Sequence, residues 1–392
     1  MNILIIPSWY PSRHYPLTGS FFREQAIALA NYGHNVIVLN GVFVGKRDYF
    51  NIDNIKYTRI EDQSIVEYRK TIPSFGLARD PYLKYKLFEK NMMLLFHKIL
   101  SDYDHIDLVH AHSFLPAGIS ACIIKKKRGI PLIVTEHATG IQKIKPGTLQ
   151  SALLAQTVIM SDRFICVSQA LKNDVIRASG TTKHIDVLPN IVSQRFLEYK
   201  TGDNASSQHM INKKFTFISI GNLVYRKRFD LVIGAFEKAF QNNDQVQLKI
   251  IGDGQMKQQL EDTVNRHMLK NKIEFLGGLS RDKVAEQISS SDCFVLASDY
   301  ETFGVVYIEA MALGKPVIAT RNGGADDIVK DFNGILIEKG NKAELSKAML
   351  EIYNSYSRYN SSEIRQYIVN NYSASVVCEK LNKIYLDVVR AN

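Results

Sequence analysis

Two glutamates, Glu301 and Glu309, stand eight positions apart where an apolar run of the chain gives way to a helical pattern. The apolar run, Cys293 to Ala297, predicts a buried parallel strand. The helical pattern follows Gly304 and ends at Gly314, a residue typical of helix ends. One carboxylate is therefore expected at the carboxyl end of a strand, and the other inside the next helix.

The start of that helix is suited to an anion. The backbone N–H groups of Gly304, Val305 and Val306 point out of a helix N-terminus, where the helix dipole favours a diphosphate. Glycine lets the backbone approach the phosphates closely. Because a carboxylate accepts hydrogen bonds from vicinal hydroxyls, Glu309 is a candidate for holding a ribose and Glu301 for holding a sugar. The segment therefore predicts a site for a sugar nucleotide.

The elements that must position this segment are predicted by an alternation of strands and helices along both halves of the 392 residues. Such alternation predicts parallel sheets with right-handed crossovers, and hence an α/β protein of two doubly wound domains. Strands are expected at 3–6, 36–39, 108–110, 132–135, 164–167, 185–188, 215–220, 247–251, 273–276, 293–296, 317–319 and 335–337. Since such sheets bind ligands at the carboxyl ends of their strands, two facing domains would form a binding cleft.

The domain boundaries are predicted from composition. A polar tract from Lys200 to Lys214 is the expected linker or flexible loop. We expect an N-terminal domain over residues 1–195 and a C-terminal domain over 196–372. The segment 373–392 reads as an amphipathic helix.

Composition favours a globular cytoplasmic protein. Hydrophobic residues make up 45% and charged residues 22% of the chain, which is ordinary for a globular protein. The N-terminus shows no basic leader or long apolar run, and no stretch has the length of a membrane span. The four cysteines are scattered through apolar segments without metal-ligand spacing, as expected for buried free thiols in a reducing compartment.

The two glutamates, together with the surrounding residues 303–320 (F-G-V-V-Y-I-E-A-M-A-L-G-K-P-V-I-A-T), resemble the E-x7-E signature of the family 4 retaining glycosyltransferases. That family has the GT-B fold, with two Rossmann-like domains facing across a cleft. The resemblance covers nearly the whole chain and is strongest over 215–337. It implies that the second domain binds the nucleotide sugar, that the first binds the acceptor, and that the last helix crosses back to the first domain.

The resemblance also implies roles for residues at other strand ends. Gly19 and Ser20 begin a helix in a loop that closes over donor and acceptor in the family, although Thr18 stands where a second glycine often occurs. His137 falls where the family places a histidine near the transferred sugar, and His112 is assigned to the acceptor or to capping of its turn. Whether the neighbouring Glu136 is a helix-capping acid or a site residue stays open at this stage.

A basic loop opens the second domain. The segment 221–230 (G-N-L-V-Y-R-K-R-F-D) resembles the family element whose cations neutralise the donor pyrophosphate, and Lys227 falls on its lysine. Arg228 replaces the family's glycine, and Arg226 is a hypothetical second cation. Such cations suit the chemistry, because cleavage of a sugar–phosphate bond adds charge to the leaving diphosphate.

These considerations give three sets of candidate residues. The catalytic set is His137, Arg226, Lys227 and Glu301. The donor-binding set is Gly19, Gly221, Asn222, Gly278, Thr302, Phe303, Gly304, Val305, Val306 and Glu309. The acceptor set is Ser20 and His112. No metal site is predicted, because Asp102 and Asp104, although spaced as D-x-D, precede their strand and so lie at its wrong end.

Charge is concentrated in the first half, where residues 1–200 hold 25 Lys and Arg against 16 Asp and Glu. A basic run at 125–128 ends an apolar helical stretch, and basic residues around 84–90 alternate with apolar ones. Two interpretations stay open, an ordinary solvated face and a surface that meets an anionic membrane. Nucleic acid is disfavoured, because no recognition motif accompanies the charge. We therefore expect a cytoplasmic protein that is peripheral to the membrane if the second interpretation holds.

The sequence thus predicts a metal-independent retaining glycosyltransferase without a cofactor, using a nucleotide sugar for which UDP is the favoured carrier. The expected acceptor is a glycan or a lipid-linked molecule of bacterial surface polysaccharide or lipopolysaccharide assembly. Three alternatives stay open: a GT-B nucleotide-sugar epimerase, a Rossmann oxidoreductase, and a silent nucleotide-sugar-binding subunit. The oxidoreductase lacks the expected G-x-G-x-x-G fingerprint.

Overall fold

The computed structural model describes residues 1–12, 18–45, 57–73, 81–199 and 214–392. The predicted linker lies outside these residues except for Lys214. Contacts between residues divide the chain into two compact units. The first comprises Met1–Ile191 together with Ala374–Asn392, and the second comprises Val192–Ser373.

The first unit contains eight described strands and their connecting helices. The strands are β1 (Asn2–Pro7), β2 (Asn35–Val44), β3 (Tyr57–Asp62), β4 (Ile65–Pro73), β5 (Leu108–His112), β6 (Leu132–Glu136), β7 (Arg163–Cys166) and β8 (Asp186–Val187). The α-helices are α1 (Ser20–Asn31), α2 (Pro81–Asp102), α3 (Ile119–Arg128), α4 (Leu149–Met160) and α5 (Gln169–Ser179), with a π-helical turn at Phe114–Gly118 and a 3₁₀ turn at Thr139–Lys143.

The first sheet has the strand order β3-β4-β2-β1-β5-β6-β7-β8. Neighbouring strands are parallel except at one edge, where β3 runs antiparallel to β4. The prediction of parallel pairing is therefore confirmed for most of the sheet and wrong at this edge. Neither β3 nor β4 is among the strands predicted from the sequence.

The last helix of the chain, α14 (Ala374–Ala391), packs into the first unit. Its side chains at 377, 381, 385 and 388 are buried, at the spacing of one helical face. They share a hydrophobic core with Phe22 and Leu29 of α1 and with apolar residues of the strands. Burial of this stripe provides the hydrophobic free energy that fixes the helix on the unit.

The second unit contains six described strands. They are β9 (Phe215–Ile220), β10 (Val246–Ile251), β11 (Ile273–Gly277), β12 (Cys293–Leu296), β13 (Val317–Thr320) and β14 (Gly334–Ile337). The α-helices are α6 (Gln194–Glu198), α7 (Phe229–Phe240), α8 (Lys257–Arg266), α9 (Arg281–Ser290), α10 (Val305–Ala312), α11 (Gly324–Ile328), α12 (Lys342–Asn354) and α13 (Ser361–Tyr372), with 3₁₀ turns at Tyr225–Lys227 and Tyr356–Arg358.

The second sheet is parallel, in the order β11-β10-β9-β12-β13-β14. Three of its strands, β9, β12 and β13, are almost wholly buried, as expected of strands covered on both faces of the sheet. Because neighbouring strands run in the same direction, the loops that follow β9, β11 and β12 leave the sheet at one edge. These are the loops that carry most of the predicted donor-binding residues.

Within the described ranges, no helix is both long enough and apolar enough to cross a membrane.

Candidate active site

Gly304 directly precedes helix α10, in a conformation that suits glycine. Its φ is +81°, in the left-handed region, and a Cβ atom here would lie 2.5 Å from the ring of Tyr307. No side chain caps this helix end. The first backbone N–H groups, including those of Val305 and Val306, therefore have no side-chain cap. A helix N-terminus with uncapped N–H groups favours an anion.

The carboxylate of Glu301 is held just before this helix. Its backbone N–H donates to the carbonyl of Asn322 at 3.0 Å, and the residue bridges to Gly323 after strand β13. Its side chain accepts from the ammonium of Lys227 at 2.5 Å, and the two side chains are only 8% and 12% exposed. The structure thus brings together two members of the predicted catalytic set that stand 74 positions apart in sequence.

Lys227 is placed by the loop after β9. The 3₁₀ turn that ends at Lys227 is followed by Arg228, whose φ of +52° is unusual for a residue with a side chain. The guanidinium of Arg228 pairs with Asp230 at 3.1 Å and with Asp299 at 3.3 Å. The departure from the family's glycine therefore stands at a position where the backbone favours glycine, and two ion pairs accompany the strained conformation.

Arg226 is exposed, and its side chain reaches the carbonyl of Tyr300 only at 3.5 Å. Its backbone carbonyl accepts from the N–H of Asp299 at 2.8 Å, which ties the basic loop to the loop before α10. Gly221 and Asn222 lie at the start of the same basic loop, directly after β9. All of these residues belong to one edge of the second sheet.

Glu309 lies in the second turn of α10 and is 1% exposed. Both of its oxygens accept from the guanidinium of Arg281, at 2.5 and 3.1 Å. Arg281 also lies over the ring of Phe196, 4.8 Å from its centroid. Arg281 is not predictable from the sequence, because a charged first residue of a helix gives no signal of such a contact.

The remaining predicted donor residues lie nearby in the fold but differ in exposure. Gly278 is exposed and directly follows β11, and Thr302 is half-buried. The side chain of Phe303 is 2% exposed and packs against Tyr372, with ring centroids 5.8 Å apart. Phe303 therefore belongs to the hydrophobic core, and its backbone is the part that lies beside the start of α10.

In the first unit, Gly19 precedes helix α1 with a φ of +70°. A Cβ atom here would lie 2.8 Å from the carbonyl oxygen of Trp9. No side chain caps α1, and Ser20 is its first residue. The start of α1 thus repeats the arrangement found at Gly304, a left-handed glycine before an uncapped helix.

A cluster of three buried histidines lies beside α1. His112 Nδ1 and His137 Nε2 are 3.1 Å apart, and the ring of Phe22 lies 4.8 Å from each ring. His110 contacts the hydroxyls of Tyr385, at 2.6 Å, and Thr135, at 2.8 Å. Burial lowers the pKa of His110 and of His137 to about 3, and that of His112 well below its ordinary value. The rings are therefore neutral near pH 7.

Glu136 has a structural role in the first unit. Its carboxylate is fully buried and accepts from the backbone N–H groups of Phe114, His137 and Ala138 at 2.7–2.8 Å. Burial raises the pKa of this carboxyl, and the three backbone donors oppose the shift. Glu136 thus ties the loop after β5 to the loop after β6 and fixes the backbone of His137.

Among the described residues, no group of three or more His, Cys, Asp or Glu side chains is arranged to hold a metal ion. Asp102 instead accepts from the hydroxyl of Tyr68 at 2.8 Å and pairs with Lys98.

The fold and the strand-end loops define a protein of two α/β units whose second unit places an uncapped helix N-terminus beside a paired lysine and glutamate. Comparison with known proteins agrees with this class. Residues 203–372 match the family described as glycosyl transferases group 1, and residues 18–195 match glycosyltransferase family 4. An uncharacterized glycosyltransferase of Methanocaldococcus jannaschii is 33% identical over 260 residues, which are 66% of this chain and 68% of the relative. The chain belongs to the family 4 glycosyltransferases of group 1.

Solved structures show the same architecture. A sucrose-phosphate synthase from Thermosynechococcus elongatus superposes over all of both chains with a TM-score of 0.78 at 18% identity. The Anabaena protein HepE, in complex with UDP, covers 99% of this chain and 100% of its own, with a TM-score of 0.71 at 18% identity. These likenesses confirm the predicted GT-B fold.

Proposed function

We propose that this glycosyltransferase is a retaining enzyme that moves a sugar from a UDP-linked donor to a glycan or lipid-linked acceptor. The observation that carries the proposal is the Lys227–Glu301 pair beside the uncapped start of α10. A cation and a helix N-terminus suit the diphosphate of a donor, and a carboxylate suits the hydroxyls of its sugar. The UDP bound by HepE supports the choice of nucleotide.

The proposed reaction is a front-face displacement. The bond between the anomeric carbon and the phosphate oxygen breaks, and its electron pair stays on the leaving diphosphate. Lys227, Arg226 and the first N–H groups of α10 stabilise the added charge, and this set takes the place of a metal ion. The acceptor hydroxyl bonds to the anomeric carbon from the same face and passes its proton to a phosphate oxygen. The anomeric configuration is thereby retained.

In this scheme Glu301 binds sugar hydroxyls and Glu309 binds the ribose. The scheme requires no enzymic nucleophile, and both carboxylates are held in ion pairs, Glu301 by Lys227 and Glu309 by Arg281. His137 contacts the transferred sugar, and the first unit binds the acceptor. Gly19 and Ser20, at the start of α1, lie in the same unit as His137 and His112.

The acceptor is proposed to be presented at an anionic membrane surface, in the assembly of bacterial surface polysaccharide or lipopolysaccharide. Helix α2 supports this proposal, because Tyr82 and Leu83 are 43% and 47% exposed beside the exposed Lys86 and Lys90. Exposed apolar and basic side chains together favour an interface with anionic lipid. Sedimentation with vesicles tests it. We expect the protein to bind phosphatidylglycerol vesicles and the double substitution K86E/K90E to weaken this binding. If equal amounts of protein sediment with neutral vesicles, the proposal is contradicted.

The first test of the donor is thermal stabilisation by UDP, GDP, ADP, CMP and NADH, with magnesium or with a chelator. A ligand at a hundred times its Kd stabilises the folded state by about 2.7 kcal/mol, enough to raise the midpoint measurably. We expect UDP alone to raise it, equally with and without magnesium. A shift with NADH alone, or with none of the nucleotides, would remove the proposed donor site.

Turnover separates a transferase from the other functions. Proton NMR of the product is expected to show the anomeric configuration of the donor. UDP binding without any transfer indicates a silent binding subunit, and conversion of the free nucleotide sugar indicates an epimerase.

A further inference from the structure

The guanidinium of Arg281 meets Glu309 in a fixed, two-point geometry. One nitrogen donates to each carboxylate oxygen, at 2.5 and 3.1 Å, so the plane of the carboxylate is set by the plane of the guanidinium. The guanidinium in turn lies 4.8 Å from the centroid of the Phe196 ring, which is fully buried. Arg281 thus connects side chains from three helices, Phe196 of α6 and Glu309 of α10 with its own helix α9.

Arg281 lies close to two segments that carry predicted donor-binding residues. It is the first residue of α9, three positions after Gly278, which follows strand β11. Glu309 lies in the helix that begins at Gly304. The ion pair therefore joins the loop of the donor-binding candidate Gly278 with the helix assigned to the diphosphate.

A carboxylate as buried as Glu309, with a side chain 1% exposed, requires a counter-charge. Arg281 supplies it while its own side chain stays 23% exposed. A bidentate guanidinium occupies one acceptor direction of each oxygen, and a carboxylate offers about four in all. Each oxygen of Glu309 can therefore still accept a hydrogen bond from a hydroxyl group, in a direction that Arg281 determines.

We propose that Arg281 is a positioning residue that holds Glu309 for the two vicinal hydroxyls of the donor's ribose. The inference rests on the proposed function, since it presumes that Glu309 binds the ribose. A merely structural ion pair would support the fold without regard to the hydroxyls of the ligand. Loss of a positioning residue, by contrast, reduces the preference for a ribose over a sugar that lacks those hydroxyls.

The test measures, by calorimetry, the Kd of UDP and of 2′,3′-dideoxy-UDP for the wild-type chain and four variants. The wild-type protein should bind UDP roughly tenfold to a hundredfold more tightly than the dideoxy compound, as expected for hydrogen bonds to a charged group. Glu309→Gln and Arg281→Ala should each weaken UDP and leave the dideoxy compound nearly unchanged, so that the preference is lost. Arg281→Lys keeps the charge but not the bidentate geometry, and it should retain only part of the preference.

Arg195→Ala is the matched control, because Arg195 is adjacent to Phe196 and pairs with Asp282, adjacent to Arg281, at 3.0 Å. This variant breaks a contact between the same two helices and should keep the full preference. Thermal unfolding of each variant establishes that it is folded. If Arg281→Ala does not fold, Arg281→Lys is compared with the wild-type protein instead.

The outcomes are distinct. If Arg281→Ala or the folded Arg281→Lys keeps the wild-type preference, or if Arg281→Ala binds UDP more tightly, the positioning role is overturned while the donor site stands. Equal wild-type affinity for the two ligands overturns the ribose assignment of Glu309 and the role of Arg281 with it. No binding of UDP by the wild-type protein overturns the proposed function itself.

Discussion

The ammonium of Lys227 lies 2.5 Å from a carboxylate oxygen of Glu301, and both side chains are nearly enclosed. Two loops that leave the second sheet at the same edge bring them together. In the proposed reaction the diphosphate and the sugar of the donor lie on either side of the bond that breaks. The proposal assigns the cation to the diphosphate and the carboxylate to the sugar, and the two side chains are already in contact.

This pairing predicts how the enzyme responds to loss of the cation. Lys227→Ala removes the charge that stabilises the leaving diphosphate, an interaction stronger in the transition state than in the ground state. We expect kcat to fall more than donor affinity, which steady-state kinetics and calorimetry measure separately. Lys347→Ala, at an exposed lysine of α12, is the control and should change neither. Unchanged turnover in Lys227→Ala would exclude a role in stabilising the leaving group.

The same contact predicts a non-additive pair of substitutions. Lys227→Ala leaves the carboxylate of Glu301 buried without its partner, at a cost of about 3–5 kcal/mol for a fully buried pair and less here. In Lys227→Ala/Glu301→Gln the stranded charge is gone. The double variant should therefore be more stable than Lys227→Ala in thermal unfolding. Additive losses would show that the two side chains act independently.

Gly304 offers a test of the backbone. Gly304→Ala introduces a Cβ at a φ of +81° and within 2.5 Å of the Tyr307 ring. A left-handed conformation costs an ordinary residue about 1–2 kcal/mol before any clash. We expect a lower thermal midpoint and weaker UDP binding. In Gly234→Ala, by contrast, the new Cβ within helix α7 meets only the flexible side chain of Lys342, so the midpoint should hold or rise. Equal behaviour of the two variants would contradict the argument.

Tyr385 connects the last helix to the histidine cluster. Its hydroxyl lies 2.6 Å from His110 Nδ1, and both residues are fully buried. Tyr385→Phe leaves that ring nitrogen without its partner, which costs roughly 1–3 kcal/mol for a buried polar group. The thermal midpoint should fall, whereas Tyr32→Phe, at a 42% exposed tyrosine of the same unit, should leave it unchanged. An unchanged midpoint in Tyr385→Phe would mean that His110 finds another partner.

The sequence was sufficient for the strands of the second unit, because buried parallel strands such as Cys293–Leu296 are continuous apolar runs. It was insufficient for the β3–β4 pair. Strand β3 (Tyr57–Asp62) alternates exposed and half-buried residues and is rich in charge, and β4 contains the buried Glu67, whose carboxylate is satisfied by Asn40 and Arg69. The residue types of a polar edge strand and of a strand with a buried ion pair are the same as those of a solvated loop, so composition does not distinguish them.

Some features of the candidate site were predictable and others were not. The positions of its glycines and glutamates at a strand end or a helix start were predictable, because they depend on local sequence. The distant partners of Glu309 and Glu136 were not, since Arg281 is 28 positions from Glu309 and the backbone N–H of Phe114 is 22 positions from Glu136. Such contacts are set by tertiary packing, which leaves no mark in the spacing of one chain.

The histidine cluster predicts a specific dependence on pH. Burial lowers the folded-state pKa of His110 and of His137 to about 3, below the ordinary value of 6.5. Between these values the unfolded chain takes up protons that the folded protein does not, so stability is full above about pH 6.5 and falls as the pH falls. Each histidine contributes a slope of up to about 1.4 kcal/mol per pH unit. NMR of the ring protons should show that neither histidine titrates between pH 8 and 5, with His110→Gln and His137→Gln assigning the signals. Titration of either ring near pH 6.5 would show that its environment admits the charged form, and the predicted acid sensitivity would then have another origin.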